Sequence, residues 1–250
     1  MATSKSVIRA IEIMELISKN DGMTLSEIAF KMAMPLASTS DILKALLHKQ
    51  MVEMTDARTK AYRISVNSFL IGNAYLANAS VLEIAIPFIG DLSKQTGNTV
   101  FLGKLLDEQI VYLHKSEPNN TLVSTCRIGS TAKLSTTALG KVATAYNPGL
   151  LVKVAQKPLP KKTPASITDP QLLKQEIDLV KKQGYAIDKF EDNEKILCVG
   201  FPIFDYNGNV EHCISISGAE RSIEAIEREI ELGKACAKEI SKRLGYVGDI

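Results

Sequence analysis

The sequence predicts an α/β chain of two domains, and three observations lead to this prediction. Residues 6–48 carry apolar side chains at helical spacing, with a break at Met34-Pro35. Two short apolar runs around a polar tip follow and end at residue 64. From residue 83 onward, helical and strand patterns alternate, which is typical of an α/β sensor domain. We predict a helical domain at 1–64, a linker helix at 65–82 and an α/β domain at 83–250.

The first domain has the element order of a winged helix-turn-helix. Its first helix is predicted at 6–19, with these core residues: Val7, Ile8, Ile11, Met14, Leu16 and Ile17. Thr24 and Glu27 form an S/T-x-x-E capping box that starts a second helix. A third helix begins after Pro35, and its buried side is expected to comprise Thr39, Ile42, Leu43, Leu46 and Leu47. Residues 51–54 and 61–64 are predicted to form the two strands of the wing.

A winged helix-turn-helix predicts binding to double-stranded DNA, because its third helix enters the major groove. The candidate contact residues lie on that helix and on the wing: Leu36, Ser38, Thr39, Ser40, Asp41, Lys44, Arg58, Lys60 and Arg63. Arg58 and Lys60 are expected to meet phosphates. Residues 1–64 hold nine Lys and Arg against seven Asp and Glu, and residues 65–250 hold 21 of each. Because this basic surplus is small, we expect a dimer on an inverted repeat.

The linker helix at 65–82 is apolar and almost free of charge, through Val66, Phe69, Leu70, Tyr75, Leu76 and Leu82. Packing against a second copy of the chain explains this pattern, and so does burial against its own domain. We expect a homodimer or a tetramer.

The second domain is predicted to begin with a helix at 84–96, which Gly97 ends. Strands follow at 99–105, 110–115 and, more weakly, 122–126. Ser135-Thr136-Thr137 caps a helix at 138–146, and Asp169-Pro170 starts another that Gly184 ends. Strands at 196–204 and 210–217 and a helix at 223–244 complete the domain.

Composition excludes several classes of protein. The chain is 45% hydrophobic and 23% charged, as in ordinary globular proteins, and no membrane span or signal peptide is evident. Its four cysteines are widely spaced without a C-x-x-C pair, which favours reduced thiols in the cytoplasm and predicts neither a metal site nor a cofactor.

Seven segments together resemble those of IclR-family transcriptional regulators over nearly the whole chain. They are SVIRAI at 6–11, TLSEIA at 24–29, YRI at 62–64, LSTTALGK at 134–141, SITDP at 166–170, GYAID at 184–188 and CVGFPIFDYNGNVEHCISISG at 198–218. The resemblance implies a winged helix, a dimerising linker helix and a GAF-like C-terminal domain that binds a small effector.

The third helix departs from that family pattern. Similar proteins read Pro-Lys-Ser-Thr and then a His-Arg or Tyr-Arg pair, whereas here Pro35 is followed by LASTSD at 36–41. Asp41 either accepts a hydrogen bond from a cytosine amino group or pairs with Lys44. The family therefore does not predict the operator sequence.

The resemblance also implies an effector site, formed by the amides of Ala138 and Leu139 and the side chains of Asp188, Cys198, Ser215 and Ser217. Amides at a helix N-terminus suit a carboxylate, and alternation along a strand points both serines to one face. A carboxylate at Asp188 is useful when the ligand also offers a donor such as a hydroxyl. In the alternative interpretation, Asp188 caps a turn and the serines bond to the backbone.

Enzyme motifs are weak, and no catalytic residue is predicted. Gly140-Lys141 lacks the glycine and the hydroxyl residue that a phosphate-binding loop needs at 135 and 142. Ser130 and Lys133 match S-x-x-K without a later K-T-G, and Cys198 would need His114 or His212 nearby. A hydrolase or acyl-transfer enzyme using Cys198 or Ser130, or a protein-interaction module without DNA binding, remain the alternatives.

Overall fold

A computed structural model describes residues 4–20, 22–55, 59–71, 80–118 and 126–248. The chain divides into two compact units, Met1–Asn78 and Ala79–Ile250. Within the described ranges, no helix has the length and hydropathy required to cross a membrane.

The first unit has the predicted helices and wing. Its elements are α1 (Lys5–Ser18), β1 (Met23–Thr24), α2 (Leu25–Lys31), α3 (Leu36–His48), β2 (Val52–Met54), β3 (Ala61–Ile64) and a helical segment α4 (residues 66–71). The strands form an antiparallel sheet in the order β1-β3-β2, in which the two-residue β1 was not predicted. Both hydrogen bonds of the Thr24–Glu27 capping box are present.

The core of the first unit corrects one prediction. Val7, Ile8 and Ile11 were expected to be buried, but they are 58%, 42% and 52% exposed. Ile17 is buried as predicted, and so is Ile13, which was not predicted. At 100° per residue, the first three side chains lie on one face of α1 and the two buried ones lie on the opposite face. Helix α1 is thus apolar on both sides, and only one side packs within the unit.

The second unit is a six-stranded antiparallel sheet with helices on both faces. Its strands are β4 (Thr99–Leu106), β5 (Gln109–Ser116), β6 (Thr131–Lys133), β7 (Ala186–Lys189), β8 (Leu197–Ile203) and β9 (His212–Gly218), in the order β6-β5-β4-β9-β8-β7. Its helices are α5 (Val81–Thr96), α6 (Ala138–Tyr146), α7 (Leu150–Ala155), α8 (Pro170–Gln183) and α9 (Ile223–Arg243). Strands β6 and β7 and helix α7 were not predicted, because short elements give little periodic signal.

Each face of this sheet has its own core. Ile214 and Ile216 of β9 pack with α5 and α9, whereas Cys213 belongs to the core beneath α6 and α8. Because side chains alternate along a strand, Ser215 and Ser217 point to the same side as Cys213. The predicted serine pair therefore lies beneath α6.

Two predictions fall partly outside the described residues. In the predicted linker helix at 65–82, residues 66–71 are helical and α5 begins at Val81, but residues 72–79 are not described. The predicted strand at 122–126 is described only at Cys126.

Candidate functional site

The outward side of α3 displays most of the predicted DNA-contacting residues. Leu36, Ser38, Asp41 and Lys44 are exposed, and Ser40 is partly exposed. Lys44 Nζ lies 3.6 Å from Asp41 Oδ1, so these side chains form the surface pair that was one of the two alternatives. Such exposed pairs contribute little to stability, about 0 to 1 kcal/mol, and can open when a ligand approaches.

Thr39 corrects the prediction for this helix. Its side chain is fully buried, and its hydroxyl donates a hydrogen bond to the carbonyl of Pro35 at 3.1 Å. The hydroxyl thus fixes the first turn of α3 and is not available to a base.

The wing displays Lys60, which is exposed just before β3. Arg63 is exposed by about half, but its Nε donates to Glu53 Oε1 at 2.6 Å across the β2–β3 pair. Its charge is therefore partly compensated. Arg58 lies outside the described residues.

The N-terminus of α6 provides the predicted pair of amides. Thr137 caps the helix by accepting from the Gly140 amide at 3.1 Å, and the amides of Ala138 and Leu139 have no acceptor among the residues that the structure describes. The helix lies directly on β8: a Cβ at Gly200 would lie 2.8 Å from the carbonyl carbon of Ala138. Only a glycine permits this close approach.

All six residues predicted for the effector site line one cavity of about 110 Å³. Ala138 and Leu139 lie at the N-terminus of α6, and Asp188, Cys198, Ser215 and Ser217 lie on β7, β8 and β9. The sequence did not identify the other lining residues, Phe101, Tyr112, Cys126, Thr137, Asp192, Asn193 and Ile196. Of these, Tyr112 packs on Phe101 with ring centroids 5.1 Å apart.

Asp188 is 2% exposed, and one of its oxygens holds a turn. Oδ1 accepts from the amide of Glu191 at 2.7 Å and from that of Asp192 at 3.3 Å, as the alternative interpretation expects. Burial raises the pKa of Asp188 to about 7, more than the two amides lower it. This carboxyl group can therefore donate or accept a hydrogen bond near neutral pH.

The second acid in the cavity, Asp192, is compensated by its neighbours. Its Oδ1 accepts from Thr136 Oγ1 at 2.6 Å and from Lys162 Nζ at 2.5 Å. This pairing reduces the repulsion that an anionic ligand would meet.

The thiol of Cys198 is unsuited to nucleophilic chemistry. It donates to Ser217 Oγ at 3.3 Å, and burial raises its pKa to about 12. A thiol that stays protonated is a poor nucleophile. Neither His114 nor His212 lines the cavity, and burial lowers the pKa of His212 to about 4.

The S-x-x-K match is not a catalytic pair. Ser130 is exposed, and its hydroxyl donates to the carbonyl of Arg127 at 2.6 Å. Across the described part of the chain, no group of three or more His, Cys, Asp and Glu residues could hold a metal ion.

A larger groove of about 490 Å³ lies beside β6, and none of the six predicted residues lines it. Lys157 pairs with Glu108 at its rim, so its charges are mixed. We therefore assign the candidate site to the smaller cavity, where two unpartnered amides converge with two serine hydroxyls and Asp188.

Two family models match the chain. The model for the IclR helix-turn-helix domain covers residues 6–56, and the model described as "Bacterial transcriptional regulator IclR C-terminal" covers residues 73–242.

Individual relatives match over nearly their whole length. The regulator BhcR of Paracoccus denitrificans is 28% identical, over 96% of this chain and 90% of its own. The crystal structure of Thermotoga maritima IclR is 34% identical over 96% of this chain and 99% of its own, with a TM-score of 0.64. The crystal structure of the Agobacterium tumefaciens repressor BlcR is 25% identical over 96% of this chain and 97% of its own, with a TM-score of 0.83. The two-domain fold is confirmed by these structures.

Proposed function

This chain belongs to the IclR family of transcriptional regulators, with a helix-turn-helix DNA-binding domain, and we propose that a small hydroxy or oxo carboxylate in the α6 cavity changes its affinity for an inverted-repeat operator. The observation that supports this proposal best is the convergence of two unpartnered amides, two serines and Asp188 on one cavity. BlcR is described as a repressor, which favours repression here as well.

The chemistry of the cavity supports a carboxylate. The Ala138 and Leu139 amides, at the positive end of the α6 dipole, would bind its oxygens. The hydroxyls of Ser215 and Ser217 would donate to the remaining lone pairs, and Asp188 would bind the hydroxyl or carbonyl of the ligand. A protonated Asp188 can donate to a carbonyl, and an ionised one can accept from a hydroxyl.

The size of the cavity supports a small ligand. At about 110 Å³, the cavity lies well below the roughly 300 to 1,000 Å³ of pockets that hold drug-sized ligands. We therefore propose an acid of about three carbon atoms, such as a 2-hydroxy or 2-oxo acid.

Calorimetry with lactate, pyruvate and propanoate tests the effector site. We expect Asp188→Ala or Ser217→Ala to weaken the binding of lactate by about 1 to 3 kcal/mol, the cost of losing a charged hydrogen bond. DNA binding by the free protein should stay near normal. Asp178→Ala is the control, because Asp178 is an exposed residue of α8 that pairs with Lys174. Unchanged lactate binding in both variants would show that the cavity is not the effector site.

Titration of labelled DNA at several salt concentrations tests the DNA-binding surface. Removing Arg58 and Lys60 should weaken binding to operator and random DNA alike and reduce the salt slope by up to about two, one per lost phosphate contact. Ser38→Ala or Ser40→Ala should instead change sequence preference. Ser18→Ala, in α1, is the control. Equal losses on all sequences from the α3 variants would contradict a base-reading role.

A further inference from the structure

Lys141 is a buried cation that the proposed effector site does not itself use. It lies on α6, one turn after Ala138, and is fully buried. Its Nζ donates to Glu191 Oε1 at 2.5 Å, to the carbonyl of Ile187 at 3.0 Å and to Glu176 Oε1 at 3.1 Å. A buried ammonium group is costly unless it is paired and hydrogen-bonded, and this one has three acceptors.

Two of these acceptors lie on either side of Asp188 along the chain. Ile187 precedes it, and Glu191 follows it at the end of the turn. The same turn is closed by the hydrogen bond from the Glu191 amide to Asp188 Oδ1. Lys141 thus bonds to the backbone on one side of Asp188 and to a side chain on the other.

The two structures that Lys141 joins are both walls of the cavity. One wall is the α6 N-terminus with its two amides, and the other is the β7 end and turn that carry Asp188. Because α6 is a helix, the position of Lys141 fixes that of Ala138 one turn earlier. The ion pair therefore links the position of the amides to that of Asp188.

Stability alone explains this pair poorly. Replacing a buried ion pair by apolar residues of similar volume is often neutral or stabilising. Moreover, Glu191 Oε2 is buried without a hydrogen-bond partner among the described residues, which costs free energy. The arrangement is better explained by the geometry that it imposes on its surroundings.

We propose that Lys141 and Glu191 are positioning residues of the effector cavity, whose buried ion pair holds the α6 amides and Asp188 at the separation that a hydroxy acid must bridge. This inference rests on the proposed effector function. It predicts that the ion pair affects how much the ligand's hydroxyl contributes to the binding free energy, and affects the contribution of the carboxylate less.

Lactate and propanoate are matched probes, because they differ only by the 2-hydroxyl group. In the wild-type protein, we expect lactate to bind about tenfold more tightly, the effect of one additional hydrogen bond. In the double variant Lys141→Met with Glu191→Met, this preference should fall below about threefold while propanoate affinity changes little. Lys174→Met, which removes an exposed ion pair of α8, is the control and should change neither affinity.

A second variant keeps the test independent of whether the double variant folds. Glu191→Asp retains both charges but shortens the acid by one carbon, so it should also reduce the lactate preference. Equal weakening of both acids, or an unchanged preference in both variants, would overturn the positioning role. The proposed contact to Asp188 would instead be overturned if the wild-type protein showed no lactate preference. It would also be overturned if Asp188→Ala left that preference unchanged.

Discussion

At the residue scale, Asp188 makes both folding and ligand binding depend on pH. Its pKa is raised to about 7 in the folded protein, mainly by burial, whereas an unfolded Asp titrates near 4. Between these values, the folded state binds more protons than the unfolded state. The stability that the protonated carboxyl contributes is therefore present at low pH and is lost as the pH rises through about 7.

Asp188→Asn should accordingly raise the melting temperature at pH 8 and raise it less at pH 5. An uncharged amide avoids the cost of a buried charge, up to about 4 kcal/mol for a shift of this size, and its oxygen can still accept from the Glu191 amide. Calorimetric melts at both pH values measure the effect. Asp178→Asn is the exposed control, and an equal gain for Asp188→Asn at both pH values would contradict the raised pKa.

Effector affinity should fall as the pH rises from 6 to 8. An anionic ligand beside Asp188 favours its protonated form, so binding should take up a proton. Calorimetry in two buffers of different ionisation enthalpy measures this uptake, and Asp188→Asn should abolish it. Proton uptake that persists in the variant would assign the titration to another group.

How far the sequence predicts individual residues depends on whether they share a motif. The six residues that line the cavity could be predicted because each belongs to a segment of the family pattern. Tyr112 and Asp192 were missed because strand pairing and a turn bring them in from segments without a motif. Thr39 was predicted to contact DNA although helical spacing places it on the buried side of α3, where the structure has it.

At the element scale, the contact between α6 and β8 at Gly200 constrains the shape of the cavity. Gly200→Ala would place a Cβ 2.8 Å from the backbone of Ala138, so the N-terminus of α6 must move. We expect a loss of about 1 to 3 kcal/mol in stability and weaker lactate binding.

Gly90→Ala is the matched control for this substitution. Gly90 lies inside α5, and the nearest atom to its added Cβ, Ser116 Oγ, is 3.9 Å away. This change should stabilise the helix by about 0.5 to 1 kcal/mol and leave lactate binding intact. Calorimetry and thermal melts of both variants distinguish an effect on the cavity from the general effect of replacing a glycine by alanine.

Elements with capping residues were predicted to within three residues, because their ends are determined locally. Helix α6 has its predicted bounds, and α8 begins after the Asp169 cap and ends at Gly184. In contrast, β6 and β7 have only three and four residues and owe their pairing to neighbours distant in sequence. Three residues of the outer face of α1 were wrongly assigned to the core because both of its faces are apolar.

At the scale of the whole molecule, the exposed apolar surface of the first unit predicts self-association. Besides the outer face of α1, segment α4 exposes Val66, Phe69, Leu70 and Ile71, each by more than half. Exposed apolar surface of this kind is typical of protein interfaces. We expect it to be covered by a second copy of the chain.

Leu70→Asp should therefore weaken dimerisation, since it would bury an unpaired charge in the contact. Sedimentation velocity over a range of concentrations measures the change. Val152→Asp, at an exposed position of α7, is the control. If Leu70→Asp assembles like the parent, the contact lies elsewhere. Leu76, another apolar residue of the predicted linker helix, lies outside the described residues.

The division of the sheet into two faces has a consequence for how this protein can be altered. On β9, Ser215 and Ser217 line the cavity, whereas Ile214 and Ile216 support α5 and α9. Changes at positions 215 and 217 can thus alter ligand chemistry without disturbing the packing of α5 and α9. Ligand specificity and helix packing therefore depend on different residues of this strand, so a library restricted to positions 215 and 217 should yield sensors for new metabolites on an unchanged scaffold.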